Sequence, residues 1–358
     1  MNTNVSANAQ ERSGRRRRTK RLATVSALLA VPVIVAACGS SDNSGGSNSG
    51  AAVAPLVFAN ASYDVSQALI YVAQYGGYFK QQGVDVTVNM VGSAVATSLT
   101  SGQADIAGSG GSQAFAITNQ GKDTTQLFWT LSGKAVGFMI AKAEIKSPTE
   151  CKTLVTSVPG GSAYGWAVAY KKAYNATYDI TGTADQTLSA TGVASGKFDC
   201  AANTIGQFSP SVNAGKAHYI VDPRDPNSLP EAARNLENLG TSYFAMKNTI
   251  ASKRESVVRF IKAINQAVEY VKTHTPEEVA AVLQNDTNYK AIDKTVLAGQ
   301  IKDITFGYAP NGGFISKDAW ASIIAFNQGA GLTYLSTTDP KWSYESNVDM
   351  SYWEAAKK

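Results

Sequence analysis

Histidine is almost missing from this chain: His218 and His274 are the only two among 358 residues. Cysteine occurs three times, at 38, 151 and 200. No histidine pair stands at metal-binding spacing, and no third or fourth ligand lies near Cys151 and Cys200 to complete a zinc site. The histidines read as surface or hydrogen-bonded core residues, and no metal or other cofactor is implied. Catalytic signatures are absent too: there is no P-loop lysine and no G-x-S-x-G nucleophile elbow. GSGGSQ at 108–113 is not a dinucleotide fingerprint, because Gln113 stands where the third glycine belongs. No apolar run reaches the roughly 20 residues of a membrane helix. The longest, LATVSALLAVPVIVAA at 22–37, has 16 and holds a proline. A basic surplus disappears once the N-terminus is set aside. Residues 1–37 hold seven of the 32 basic residues and one of the 27 acidic ones, leaving 25 and 26, a net charge of −1. That leaves no case for nucleic-acid binding.

What the N-terminus does have is the layout of an export signal. RRRRTKR at 15–21 precedes the apolar run, which ends in VAAC with Cys38 behind two alanines. This resembles a bacterial lipoprotein signal, in which the cysteine is diacylated and becomes the first residue; Val35 stands where leucine is usual. The alternative is an uncleaved anchor helix. GSSDNSGGSNSG after Cys38 has too few apolar side chains for a core and reads as a tether to residue 54. An exported chain meets an oxidising space, where Cys151 and Cys200 form a disulfide or stay as two buried thiols.

From Pro55 the pattern alternates strand and helix, which implies parallel sheets with crossover helices. PLVFAN is a strand. VSQALIYVAQYGGYFKQQG is helical, with Val65, Ala68, Leu69, Val72 and Ala73 on one face. VDVTVNMV alternates as a half-buried strand, and ADIAGSG and TTQLFWTLS are further strands. A second set begins near Ala135, with strands VGFMIA, TLVTSV, one near 178–181, and HYIVDP. SYFAMK is a strand leading into SKRESVVRFIKAINQAVEYVKT. There Ser252 and Glu255 make a capping box and Val257, Phe260, Ile261, Ile264, Val268 and Val271 make one stripe. Thr275-Pro276 and Ser316 start further helices. One phrase occurs twice: LTSGQADIAGSG at 99–110 and VASGKFDCAANT at 193–204. In both, a helix ends at Ser-Gly with the glycine left-handed, and a turn aspartate, Asp105 or Asp199, precedes a buried strand. One unit is thus used once in each of two α/β halves.

GYFKQQGVDVTV together with SGQADIA and its small-residue turn resembles the type II solute-binding proteins of ABC importers. The branch is that of binding proteins for nitrate, taurine, alkanesulfonates and the thiamine pyrimidine precursor. The likeness covers roughly 55–275 and is loose in the last 80 residues. It implies an α/β two-lobed, Venus-flytrap periplasmic-binding-protein fold of type II, each lobe a mixed, mostly parallel sheet flanked by helices. Lobe I would be 55–133 plus 241–358 and lobe II 134–240, after a signal at 1–37 and a tether at 38–54. In the sheet order so implied the strands after Cys151 and at Cys200 are neighbours, so those two cysteines pair, at the end away from the cleft. The resemblance also implies a monomeric, non-enzymatic partner of a membrane permease with its ATPase. It would be exported and lipid-anchored to the outer face of the cell membrane, or periplasmic in a Gram-negative host.

A cleft between two such lobes is lined by residues just past strand ends. These are Ser62 and Tyr63, then Gly110, Gly111 and Ser112, then Trp129; opposite them Gly161, Ser162, Ala163 and Tyr164, then Asn203 and Thr204; and at the return crossing Ser242 and Tyr243. The glycine turns at 108–112 and 159–165 open helices, whose first N–H groups favour an anion. Trp129, Tyr63, Tyr164 and Tyr243 would wall an organic body. Lys134, in the crossing, is the nearest cation. The expected solute is a small organic anion of the aliphatic sulfonate, taurine-like or nitrate type, with a thiamine pyrimidine precursor or an aromatic carboxylate as alternative. A pyrimidine-synthase-like enzyme on the same fold is the rival class; it needs an active-site histidine and cysteines in the cleft. A lipid-anchored sensor or adhesin is a third.

Overall fold

In the computed structural model the described residues are 53–358, apart from 122–124, 132–136, 186, 226, 228, 235, 306 and 309–311. Cys38, the signal and the tether up to residue 52 lie outside them, as does Lys134. Two five-stranded mixed sheets dominate the chain from residue 51 onward. The first has the order β2-β1-β3-β10-β4, from β1 (Leu56–Asn60), β2 (Val86–Met90), β3 (Ile106–Gly110), β4 (Thr125–Thr130) and β10 (Thr241–Met246). The second has the order β7-β6-β8-β5-β9, from β5 (Phe138–Ala141), β6 (Thr153–Ser157), β7 (Asp179–Thr183), β8 (Cys200–Asn203) and β9 (His218–Val221). In each sheet one strand runs antiparallel through the next-to-edge place: β10 between β3 and β4, β5 between β8 and β9. The chain leaves the first sheet after β4 and returns to it at β10.

The repeated phrase has a structural cause. Gly102 and Gly196 both close a helix in the left-handed region, at φ 73° and 78°, where a side chain would be strained. Each following aspartate then ties down the neighbouring parallel strand. Asp105 Oδ2 accepts the Val57 N–H of β1 at 2.9 Å, and its Oδ1 pairs with Lys253 at 2.8 Å. Asp199 Oδ2 accepts the Lys152 and Thr153 N–H groups at the start of β6, and its Oδ1 pairs with Lys142 at 2.8 Å. The bonded lysine holds the Asp199 carboxyl down at about 2. The two phrases are therefore scaffold, each a carboxylate staple at the end of the sheet away from the strand C-termini.

Cys151 and Cys200 form a disulfide across β6 and β8, with Cα atoms 6.0 Å apart. The helix Arg254–Thr273 buries all six residues of its expected stripe, each contributing roughly 1.5–3 kcal/mol. Its start differs from expectation. Lys253 is the N-cap, and Ser252 ends the preceding helix Lys247–Ser252. The Ser252 hydroxyl bonds back to the Thr249 carbonyl, so it makes no capping box. The box occurs instead at Thr275 and Glu278. The expected helix over 65–83 is broken into a 3-10 turn Val65–Gln67, a helix Leu69–Tyr75 and a helix Tyr78–Gln81, with Gly77 left-handed at the second break. His274 is exposed and stacked on Tyr270, while His218 lies in β9 with its Nε2 buried and unpartnered.

Candidate functional site

The C-terminal ends of β1 and β8 bring two loops together around a pocket of about 440 Å³. Ser62, Tyr63, Asp64, Val65 and Ser66 come from the loop after β1; Asn203, Thr204, Gly206 and Gln207 come from the end of β8 and the helix after it. Ile292 and Gln300, from the C-terminal helical region, complete it. The loop conformation follows from local chemistry. Asp64 caps the turn Val65–Gln67 by accepting the Ser66 N–H at 2.9 Å. Asn60, the last residue of β1, donates its side-chain amide to the Ser62 carbonyl at 2.8 Å and holds the loop from beneath. Gly206 lets the two loops approach closely, because a Cβ there would lie 2.5 Å from Asp64 Oδ2 and the carboxylate would have to shift. The Asp64 carboxylate therefore touches the first turn of the helix Ile205–Asn213.

Several polar groups in the core behind this loop and within the first sheet are buried without a partner. Asn60 Oδ1 and Gln67 Oε1 are two of them, and the Tyr243 and Tyr289 hydroxyls are two more. Tyr63, Tyr71 and Tyr289 pack ring against ring, with centroids 5.3 to 5.7 Å apart. Burial pushes the Tyr71, Tyr243 and Tyr289 hydroxyls far above their ordinary titration range, so they act as neutral hydrogen-bonding groups. A larger hollow of about 640 Å³ lies elsewhere, along Arg254, Glu255, Arg259 and Lys262. It follows the outer face of a helix beside the start of β2, away from the loops that follow β1 and β8, and Arg259 and Glu255 in it pair with each other.

Of the residues expected from the sequence, Ser62, Tyr63, Asn203 and Thr204 line the pocket. The two glycine turns do face each other: a Cβ on Gly110 would lie 3.4 Å from Ser162 Oγ and 3.8 Å from Ser112 Oγ. Their amides are partly committed. Gly111 donates to the Gly240 carbonyl, Gly161 to the Val158 carbonyl and Tyr164 to Ser157 Oγ. Helix geometry leaves Ser112, Gln113, Ser162 and Ala163 to point first-turn N–H groups outward. Gly111 and Gly161 are themselves packed: an added Cβ would meet Leu239 Cβ at 2.4 Å or Ser157 Oγ at 2.6 Å. Ala163 is buried and Tyr164 half-buried.

Trp129, Ser242 and Tyr243 are core residues and form no wall. Trp129 and Tyr243 are paired in register within β4 and β10 rather than past the strand ends. Their rings stack at 4.7 Å, and Tyr243 also meets Phe58 and Phe260 edge-on. Trp129 Nε1 donates to Asn265, and Ser242 Oγ to Thr130 Oγ1. Cys151 and Cys200 lie at the strand ends away from the pocket. Asp64, Val65, Ser66, Gly206, Gln207, Ile292 and Gln300 were missed as site residues by sequence reasoning. The N-cap pattern D-V-S at 64–66 could have flagged Asp64; nothing local marks Ile292 or Gln300, which arrive through tertiary packing.

Comparison with known proteins agrees with this arrangement. Residues 65–279 match the family model described as NMT1/THI5 like. YtlA of Bacillus subtilis (strain 168) is 24% identical over 254 residues, 66% of this chain and 73% of that one. The periplasmic nitrate-binding protein NrtA from Synechocystis PCC 6803 superposes with a TM-score of 0.67 at 12% identity, over 85% of this chain and 89% of that one. The periplasmic aliphatic sulphonate binding protein SsuA from Escherichia coli does so at 0.57 and 14% identity, over 78% and 85%. At such identities the solved structures carry the fold alone, and that fold is the two-sheet architecture of periplasmic binding proteins. With 215 of its residues under the family model, the chain belongs to the NMT1/THI5-like family.

Proposed function

We propose that this protein is the extracytoplasmic substrate-binding component of an ABC importer, taking a small solute at the facing strand ends and handing it to a membrane permease. The observation that carries this is the pocket assembled half from the loop after β1 and half from the loop after β8, one from each sheet. A ligand touching both halves would couple binding to closure. On this reading residues 55–133 with 241–358 are one lobe, 134–240 the other, and the two crossings between them the hinge. A structurally similar protein is named for nitrate and another for aliphatic sulphonates. A small organic anion is therefore one candidate solute, favoured by the facing helix starts at Ser112 and Ser162. The protein acts by binding and not by catalysis.

Thermal-shift screening with nitrate, alkanesulfonates, aromatic carboxylates, pyrimidines and protonated amines tests this. A true ligand at a hundred times its dissociation constant adds about 2.7 kcal/mol. Recovery of a chemically altered ligand, or no binder in any class, would overturn the proposal. The anchor is tested separately: Cys38→Ser should free the protein from the membrane fraction with solute affinity unchanged. Retention in the membrane would instead mean an uncleaved anchor helix.

A further inference from the structure

We propose that the pocket beside Asp64 takes the positively charged end of its solute, a protonated amine or amidine, and that Asp64 is the residue that reads it. This rests on the binding role proposed above and goes beyond it. Asp64 is the one charged side chain among the described residues that line the pocket. Among the described residues no lysine or arginine lines it. Arg224 is committed elsewhere, held by Asp222 at 2.6 Å and by Asp303 at 2.7 Å.

Two further observations point the same way. Asn60 Oδ1 and Gln67 Oε1 are buried acceptors without donors in residues that flank the Ser62–Ser66 loop, behind the pocket lining rather than in it. The Asn60 amide orientation is set by its own donation to the Ser62 carbonyl, so its free atom is an oxygen and calls for a donor. An ammonium or amidinium supplies several N–H donors at once. Tyr63, in the pocket lining, presents an aromatic ring of the kind that attracts cations. An oxyanion entering the same space would face Asp64 with like charge.

The test is calorimetry on the full-length chain at pH 7, with benzamidine and butylamine as cationic probes and nitrate and methanesulfonate as oxyanions. The expected result is that a cationic probe binds and Asp64→Asn weakens it at least tenfold. The unliganded melting temperature should hold, because asparagine can still accept the Ser66 N–H. As a second variant, Gln207→Lys places a cation at the half-exposed pocket rim and should abolish binding of the same probe. Binding of an oxyanion while neither cation binds would overturn this inference and leave the binding role standing. An unchanged affinity in Asp64→Asn would also overturn it. Failure of every probe would sink both.

Discussion

Gly110 and Gly111 are adjacent, and the structure gives them opposite tasks. Replacing Gly111 by alanine adds a methyl group 2.4 Å from Leu239 Cβ, 2.8 Å from its Cδ1 and 3.2 Å from its Cγ. Leu239 is fully buried, so it has no solvent to move into. Separating the two carbons to ordinary contact needs a shift of about 1 Å in a close-packed core, and such overpacking costs roughly 1–3 kcal/mol. Backbone strain does not enter, because Gly111 sits at φ −59°, ψ −22°, where alanine is comfortable. Loss of glycine's freedom in the unfolded chain returns ~0.4–1 kcal/mol, so the expected net destabilisation is about 1 kcal/mol. Gly110→Ala adds a methyl group with nothing closer than 3.4 Å, so its stability should stay within ~0.5 kcal/mol of the parent. Its effect belongs to the gap between the Ser112 and Ser162 helix starts. Urea unfolding followed by tryptophan fluorescence measures both, and the slope with denaturant should not change. Leu239→Gly removes the Cβ contact at 2.4 Å along with those to Cγ and Cδ1, so in that background Gly111→Ala should cost clearly less, whereas Leu239→Ala keeps the closest contact and should relieve only part of it. Equal stabilities for Gly110→Ala and Gly111→Ala, or no coupling to Leu239, would refute the packing reasoning.

Reduction of the Cys151–Cys200 bridge, or a Cys151→Ser/Cys200→Ser pair, should cost about 4 kcal/mol, because it frees a loop of 49 residues in the unfolded chain. Thiol titration of the folded, unreduced protein that found both cysteines reactive would contradict this. Asp199 titrates low in the folded protein because Lys142 bonds its charged form. Its contribution is therefore complete above the ordinary carboxylate range near pH 4 and is lost as pH falls towards about 2. With a side chain one-fifth exposed we expect about 1–2 kcal/mol. Asp199→Asn should flatten the fall in stability between pH 5 and pH 2, and an unchanged profile would remove the carboxylate from that role.

Local patterns determined much of this protein before any fold was known. The apolar stripe of residues 257–271 specifies its helix because a period near 3.6 can bury only one face. The Ser-Gly phrases at 101–102 and 195–196 specify helix ends because only glycine takes the left-handed position without strain. Asp105 and Asp199 were legible as turn residues, although their task as staples on neighbouring strands was not. Pairing of Cys151 with Cys200 was implied only through the strand order of the family the chain resembles. Tertiary structure decided the rest. Trp129 and Tyr243 look like pocket aromatics along the chain, yet strand register stacks them inside the first sheet's core. Gly111 and Gly161 look like open turns, yet Leu239 and Ser157 fill the space a side chain would need. Asp64 faces Gly206 from 142 residues away, and Ile292 and Gln300 reach the same pocket from a third part of the chain. Such meetings depend on how separate elements pack, and no periodicity or cap along the chain records them.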